Sequence, residues 1–249
     1  MQVDVIASVN EARSDDFIHK TAIVIDVLRA TSTIITALAH GASEVLPVET
    51  VQQARSCQQM GDILGGERFC RRIAGFHAGN SPYEYMTEEI LDKRVILTTT
   101  NGTRGIQKSH KASHILAGAL INASACANVA LQLRKDIVLL CAGAQDVFAL
   151  EDGLCAGLII DELMKQSDLD AVIQVNDFGL AMHSAYIQHE DRILHALMHC
   201  AGGRRLTKIG FAEDVEYCAW VNSVPLVPYI SGQPAAMKPF AQNSPLLFR

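Results

Sequence analysis

The 249-residue chain contains no run of about 18 apolar residues, so nothing in it is long and apolar enough to cross a bilayer as a helix. Its start, Met1-Gln2-Val3-Asp4, has no basic region and carries an acid inside the first apolar stretch. That speaks against a signal peptide. There is no basic excess: Lys and Arg number 21 and Asp and Glu 27, a net charge of −6. A nucleic-acid partner, which would need a basic face, is not expected. C-x-x-C pairs are absent, and the seven cysteines are odd in number and widely spaced. They read as the reduced, mostly buried thiols of a cytoplasmic protein rather than a disulfide framework or a zinc site.

The familiar motifs of phosphate and hydrolase chemistry are missing too. No G-x-G occurs, which removes the dinucleotide fingerprint. Gly61 to Glu67 has the glycine spacing of a P-loop, but Glu67 stands where the essential lysine must be. There is no G-x-S-x-G elbow. His189-Glu190 lacks the second histidine of a zincin, since Ile193 holds that position. Asp26 has no partner acid two residues on, and no cysteine is followed by Arg six residues later.

Hydrophobic residues make up 49% of the chain and charged residues 19%, the balance of a folded globular protein. Short β-branched runs (3–7, 22–27, 44–48, 95–99, 114–117, 137–141 and 171–175) alternate with helical patterns (33–40, 51–60, 122–133, 154–165 and 180–200). This alternation predicts an α/β fold, a mostly parallel or mixed sheet with helices on both faces. The chain reads as one unit over residues 1–249, with the one weak break, a division into two lobes, near 118–128. The proline-rich stretch 224–245 is expected to follow an extended path over the surface.

Three strand ends are rich in polar residues. Asp26-Val27-Leu28-Arg29-Ala30-Thr31-Ser32-Thr33 delivers an acid, an arginine and three hydroxyls just before a helix. Helix-start N–H groups and a bidentate guanidinium suit an anion; the plain alternative is a well-capped helix. Thr99-Thr100-Asn101-Gly102-Thr103-Arg104 repeats the pairing of hydroxyl and arginine, with a simple turn as its alternative. After Cys141-Ala142-Gly143 comes Glu151-Asp152 at a helix start. These acids either complement the helix dipole or, with Asp26, offer Mg²⁺ hard oxygen ligands. A fourth segment, Gly65-Gly66-Glu67-Arg68 followed by Gly79-Asn80-Ser81-Pro82, reads as a functional loop, with Pro82 opening the next helix. The pairs His110/His114 and His195/His199, the second preceded by Asp191, match no metal motif and read as packed or surface histidines.

Taken in order over residues 20–160, these segments resemble the 2-phosphosulfolactate phosphatase (ComB) family. The likeness rests on Asp26 to Thr31, Gly66-Glu67-Arg68, Gly79 to Pro82, Thr99 to Thr103, Cys141 to Gly143 and Glu151-Asp152. It implies an α/β fold and a Mg²⁺-dependent phosphatase acting on the phosphate ester of a small sulfonated hydroxy acid, a step of coenzyme M synthesis. On this reading Asp26, Glu151 and Asp152 hold the metal. Arg29, Thr31, Ser32, Asn101, Thr103 and Arg104 cradle the phosphate, and Glu67, Arg68, Asn80 and Ser81 face the rest of a small phosphorylated, sulfonated or carboxylated acid. The nucleophile stays open between a metal-bound water, Asp26 and Cys141. His77 stands where the family pattern leads one to expect an acid, which leaves the substrate open. Another small phosphorylated carboxylic acid is the alternative substrate, a non-catalytic anion-binding protein the alternative class, and assembly into a homo-oligomer is compatible with either.

Overall fold

The computed structural model describes residues 1–145, 147–167, 172–230 and 235–241. Its strands are β1 (Gln2–Ile6), β2 (Thr21–Ile25), β3 (Glu44–Pro47), β4 (Ile63–Arg68), β5 (Arg71–Arg72), β6 (Arg94–Thr98), β7 (His114–Gly118), β8 (Ile137–Cys141), β9 (Gln174–Val175), β10 (Pro228–Ile230) and β11 (Met237–Pro239). The helices are α1 (Ala30–Ala39), α2 (Val51–Ser56), α3 (Gly102–Lys108), α4 (Ala123–Leu133), α5 (Leu150–Gln166), α6 (Asp177–His189), α7 (Ile193–His199), α8 (Ala201–Lys208) and α9 (Ala212–Cys218). This is an α/β fold built on one mixed, mostly parallel sheet.

The strand order is β5-β4-β6-β3-β11-β10-β7-β2-β8-β1-β9. Two parallel blocks are visible in it: β4, β6 and β3 on one side, β7, β2, β8, β1 and β9 on the other. The antiparallel pair β10–β11 stands between them, bonded to β7 and to β3. Strands β2 and β8 are buried at every position, as a strand covered on both faces must be. Their alternate residues divide between two cores: Ile23, Ile25, Ile137 and Leu139 join one apolar cluster, while Ala22, Val24, Val138 and Leu140 join the other. The sheet is therefore packed on both faces by the ordinary two-residue period of a strand.

Several expectations are corrected. The glycine-rich stretch 61–67 contributes β4, an inner strand of the sheet. The proline-rich segment does not stay on the surface: Pro228 opens β10, Pro239 closes β11, and both strands lie mid-sheet. Prolines are tolerated there because they sit at the ends of their strands. The helix expected over 180–200 is broken at Glu190–Arg192. The run His189-Glu190-Asp191-Arg192 has nothing apolar to hold it to the core, and the turn re-aims Ile193, Ala196 and Leu197 inward. Helices α3, α8 and α9 were not foreseen. Of the strand expected over 171–175, residue 171 lies outside the described residues and Gln174–Val175 form β9. Pro82 does open a helical turn, the short 3₁₀ segment Pro82–Tyr85.

Candidate active site

The carboxyl ends of strands from both blocks line a single cavity of about 120 Å³. Asp26 follows β2, Glu67 lies near the end of β4, Thr99, Thr100 and Asn101 follow β6, Gly143 follows β8, and Glu151 and Asp152 begin α5. Arg29, Asn80, Arg205 and the tip residues Phe69 and Cys70 of the β4–β5 hairpin complete the lining used below.

Four carboxylates share this small space, all of them buried. The fold supplies backbone donors to make that tolerable. Asp26 Oδ1 accepts from the Ala30 N–H at 3.2 Å. Its other oxygen lies against Gly102, where a Cβ would come within 2.6 Å of Oδ2, so only glycine lets the first turn of α3 approach so closely. Asp152 accepts from the Val27 N–H at 2.9 Å through Oδ1 and from the Gly143 N–H at 3.0 Å through Oδ2. It thereby ties the loops after β2 and β8 together. Glu67 accepts from the Thr100 N–H (2.9 Å) and hydroxyl (2.8 Å) through Oε1 and from the Cys70 N–H (2.7 Å) through Oε2. Glu151 faces the Cys200 thiol and the first turn of α8, where Gly202 leaves room for Oε1.

The donors do not offset the burial. Desolvation pushes the Asp26 carboxyl up to about 7, with the charges of Glu67 and Glu151 adding to it against the Ala30 and Gly102 N–H groups. Burial likewise holds Asp152 well above the usual carboxylate range, helped by Asp26 and Glu151. Mutually repelling acids around one cavity are a marker of a functional site and suit a bound cation. Among the described residues no three His, Cys, Asp or Glu side chains converge as a ready metal cage. Hard oxygens spread around a cavity still suit Mg²⁺, which keeps waters and takes substrate oxygens in place of protein ligands.

Arg29 precedes α1 and is almost fully buried. Its Nη1 donates to Asp214 Oδ2 at 2.5 Å, and its guanidinium carbon lies 4.4 Å from the centre of the Phe211 ring. Asp214, on α9, also accepts from the Ser81 hydroxyl at 2.8 Å through Oδ1. The arginine is thus held rigidly at the cavity wall by residues nearly two hundred positions away.

Of the residues expected from sequence, the structure brings Asp26, Arg29, Glu67, Asn80, Asn101, Glu151 and Asp152 to the cavity. The others lie elsewhere. The Thr31 hydroxyl accepts from the Asp26 N–H at 2.9 Å and donates to the Asp26 carbonyl at 2.8 Å. Ser32 donates to the Val27 carbonyl at 2.8 Å. Thr103 donates to the Thr99 carbonyl at 3.1 Å. These three fix the turns that carry their neighbours. Ser81 serves Asp214. Arg68 turns aside to the carbonyls of Glu67 (2.7 Å) and Glu49 (2.8 Å) and to the Thr98 hydroxyl (3.0 Å). Arg104 donates to Asn10 Oδ1 at 3.1 Å, on a different surface. Cys141 is fully buried outside the lining, and burial holds its thiol well above its ordinary range, which argues against a nucleophilic role. His77 is exposed and accepts the Leu64 N–H at Nδ1 (2.8 Å), a task an acid would perform equally, so its presence does not alter the cavity.

Among the contributors that escaped sequence reading are Asp214, Phe211, Arg205 and Gln145. Arg205 Nη2 donates to Gln145 Oε1 at 3.1 Å. The pair Gly202-Gly203 ahead of Arg204-Arg205 was the one visible signal. Asn80, expected from sequence, has its Oδ1 buried without a hydrogen-bond partner among the described residues. An orphaned acceptor in a cavity wall calls for a donor from a ligand or its water.

Residues 6–233 match the protein family described as 2-phosphosulpholactate phosphatase. A probable 2-phosphosulfolactate phosphatase of Clostridium novyi is 38% identical over 232 residues, covering 92% of this chain and 96% of its own. Proteins of the same description are 39% identical in Thermotoga maritima (89% of this chain, 93% of the relative) and 38% identical in Clostridium acetobutylicum (94% and 99%).

Proposed function

The chain belongs to the 2-phosphosulpholactate phosphatase family, and from that premise we propose that this phosphoric monoester hydrolase cleaves 2-phosphosulfolactate to sulfolactate and inorganic phosphate with the help of Mg²⁺. The observation that carries the reading is the cavity itself, in which four buried carboxylates face a rigidly held arginine. Acids alone would repel a phosphate ester and a lone arginine would merely bind it. The combination is what a phosphatase needs once a cation joins the acids, and it gives a non-catalytic binder no use for them.

Asp26, Glu151 and Asp152 would hold the metal, since an oxygen that accepts one N–H retains a second lone pair. When bound, Mg²⁺ supplies positive charge to the phosphoryl oxygens as the ester breaks. Arg29 grips the same group from the cavity wall. Asp214 and Phe211 keep its guanidinium in place, so little ordering remains to be done when substrate arrives. Asn80 accepts a proton-bearing group at its free carbonyl oxygen, in keeping with a water aligned for attack at phosphorus. Water then supplies the oxygen that stays on phosphate, and the C–O bond of the hydroxy acid is left intact as the P–O bond breaks.

A phosphate-release assay tests this directly. With 2-phosphosulfolactate and related phosphorylated hydroxy acids, turnover is expected to require Mg²⁺ and to disappear with a chelator. Release that is indifferent to Mg²⁺ would remove the metal from the mechanism, and no release from any small phosphorylated acid would overturn the substrate class.

A further inference from the structure

We propose that Arg205 is the specificity residue of this site: it reads a second anionic group, a carboxylate or sulfonate, on the same small molecule that carries the phosphate ester. This rests on the phosphatase reading above and adds a residue that neither the sequence motifs nor the family description points to.

Among the described residues two arginines line the cavity, and they are in opposite situations. Arg29 is buried and neutralised by Asp214. Arg205 is exposed at the rim, and its described hydrogen-bond partners are neutral: Gln145 Oε1 at 3.1 Å and the Cys70 thiol. No described carboxylate lies within ion-pair distance of it. A charge pinned by an acid is committed to one place, whereas a charge resting on amide and thiol can be recruited by an incoming anion at little cost.

The surroundings assign it this task. Arg205 shares the lining with uncharged residues, Phe69 and Cys70 from the hairpin tip and Leu206 from α8. The first turn of α8 is brought against Glu151 by Gly202, which anchors the helix that carries Arg205 at a fixed distance from the acids. The other arginines that sequence reading placed at the site are engaged elsewhere: Arg68, favoured for the second anion, on backbone carbonyls, and Arg104, favoured for the phosphate, on another surface. A small hydroxy acid phosphate places its acid group only one or two carbons from the ester oxygen. With the phosphoryl group at Arg29 and the metal ligands, the other arginine of the described lining, Arg205, is the cation left to meet that acid group.

The experiment compares esters in matched pairs. One member bears a second acid (2-phospholactate, or the phosphate ester of 2-hydroxyethanesulfonate) and the other carries a methyl group in its place (isopropyl or propyl phosphate). The quantity read is the preference, the ratio of kcat/KM for the ester with the second acid to that for its partner without it. Arg205→Gln is expected to lower that ratio about tenfold, mainly through KM, and Arg205→Lys to restore part of it. The pair with the larger drop identifies carboxylate or sulfonate as the group read. Calorimetric binding of the same four esters gives the preference without turnover, so a failed phosphatase reading is told apart from a failed role for Arg205. A preference unchanged within twofold in Arg205→Gln, by rate or by binding, would overturn the proposal.

Discussion

Two strand ends in this molecule pair threonine with arginine at a helix start and do different things. After β2 the chain reads Asp26-Val27-Leu28-Arg29-Ala30-Thr31; after β6 it reads Thr99-Thr100-Asn101-Gly102-Thr103-Arg104. In both, hydroxyls bind back to their own turn and an arginine stands close to a helix start. Arg29 precedes the first residue of α1, where the backbone has not yet entered the helix, and its side chain faces the cavity. Arg104 is already the third residue of α3, and the helical rotation carries it round to Asn10. Whether an arginine reaches a ligand at a strand end is decided by three positions of register relative to the helix, which composition does not reveal.

The comparison can be broken most forcefully at Asp214. Asp214→Ala leaves the buried Arg29 guanidinium without its counter-charge and the Ser81 hydroxyl without an acceptor. A loss of about 3–5 kcal/mol in denaturant unfolding is expected, and a melt matching that of the unmodified protein would show that the pair does not anchor the site. A smaller effect, confined to catalysis, is expected for Arg29→Lys. Charge is kept but the planar fork is lost, and kcat/KM should fall about tenfold or more, or about 1.4 kcal/mol per tenfold. Full activity in the folded variant would remove Arg29 from substrate contact. The smallest effect belongs to the other strand end: Arg104→Ala should stay within about twofold of the unmodified rate, because its side chain points away from the cavity. A tenfold loss would restore Arg104 to the site.

Much of the architecture could be read from sequence because it depends on local pattern. β2 and β8 are unbroken apolar runs, and the helices between them carry their own starts, such as the capping box of Thr50 and Gln53 ahead of α2. β4 was hidden because Gly65 and Gly66 look like a loop, yet Gly65 is needed where the Tyr85 hydroxyl presses against the strand. β10 and β11 were hidden by their prolines. At the cavity, the acids and Arg29 were visible as polar interruptions at strand ends. Asp214, Phe211 and Arg205 were not, since each enters from helices far along the chain and only the folded path makes them neighbours of Arg29, Glu67 and Cys70. Ser81 and Thr31 were recognised as important residues, but their hydroxyls brace other side chains and turns.

The hairpin of β10 and β11 gives the molecule a timetable. The sheet's two parallel blocks have no hydrogen bonds to each other except through these two short strands. One block brings Asp26 to the cavity and the other brings Glu67 and Thr99 to Asn101. As the ribosome releases the chain, every described residue of the cavity lining has emerged by Leu206, yet the clasp that joins their two supports is complete only at Pro239. Until then β3 and β7 each present an open edge of the kind that invites pairing with another chain. The nascent protein therefore holds all the parts of its site before it holds their arrangement.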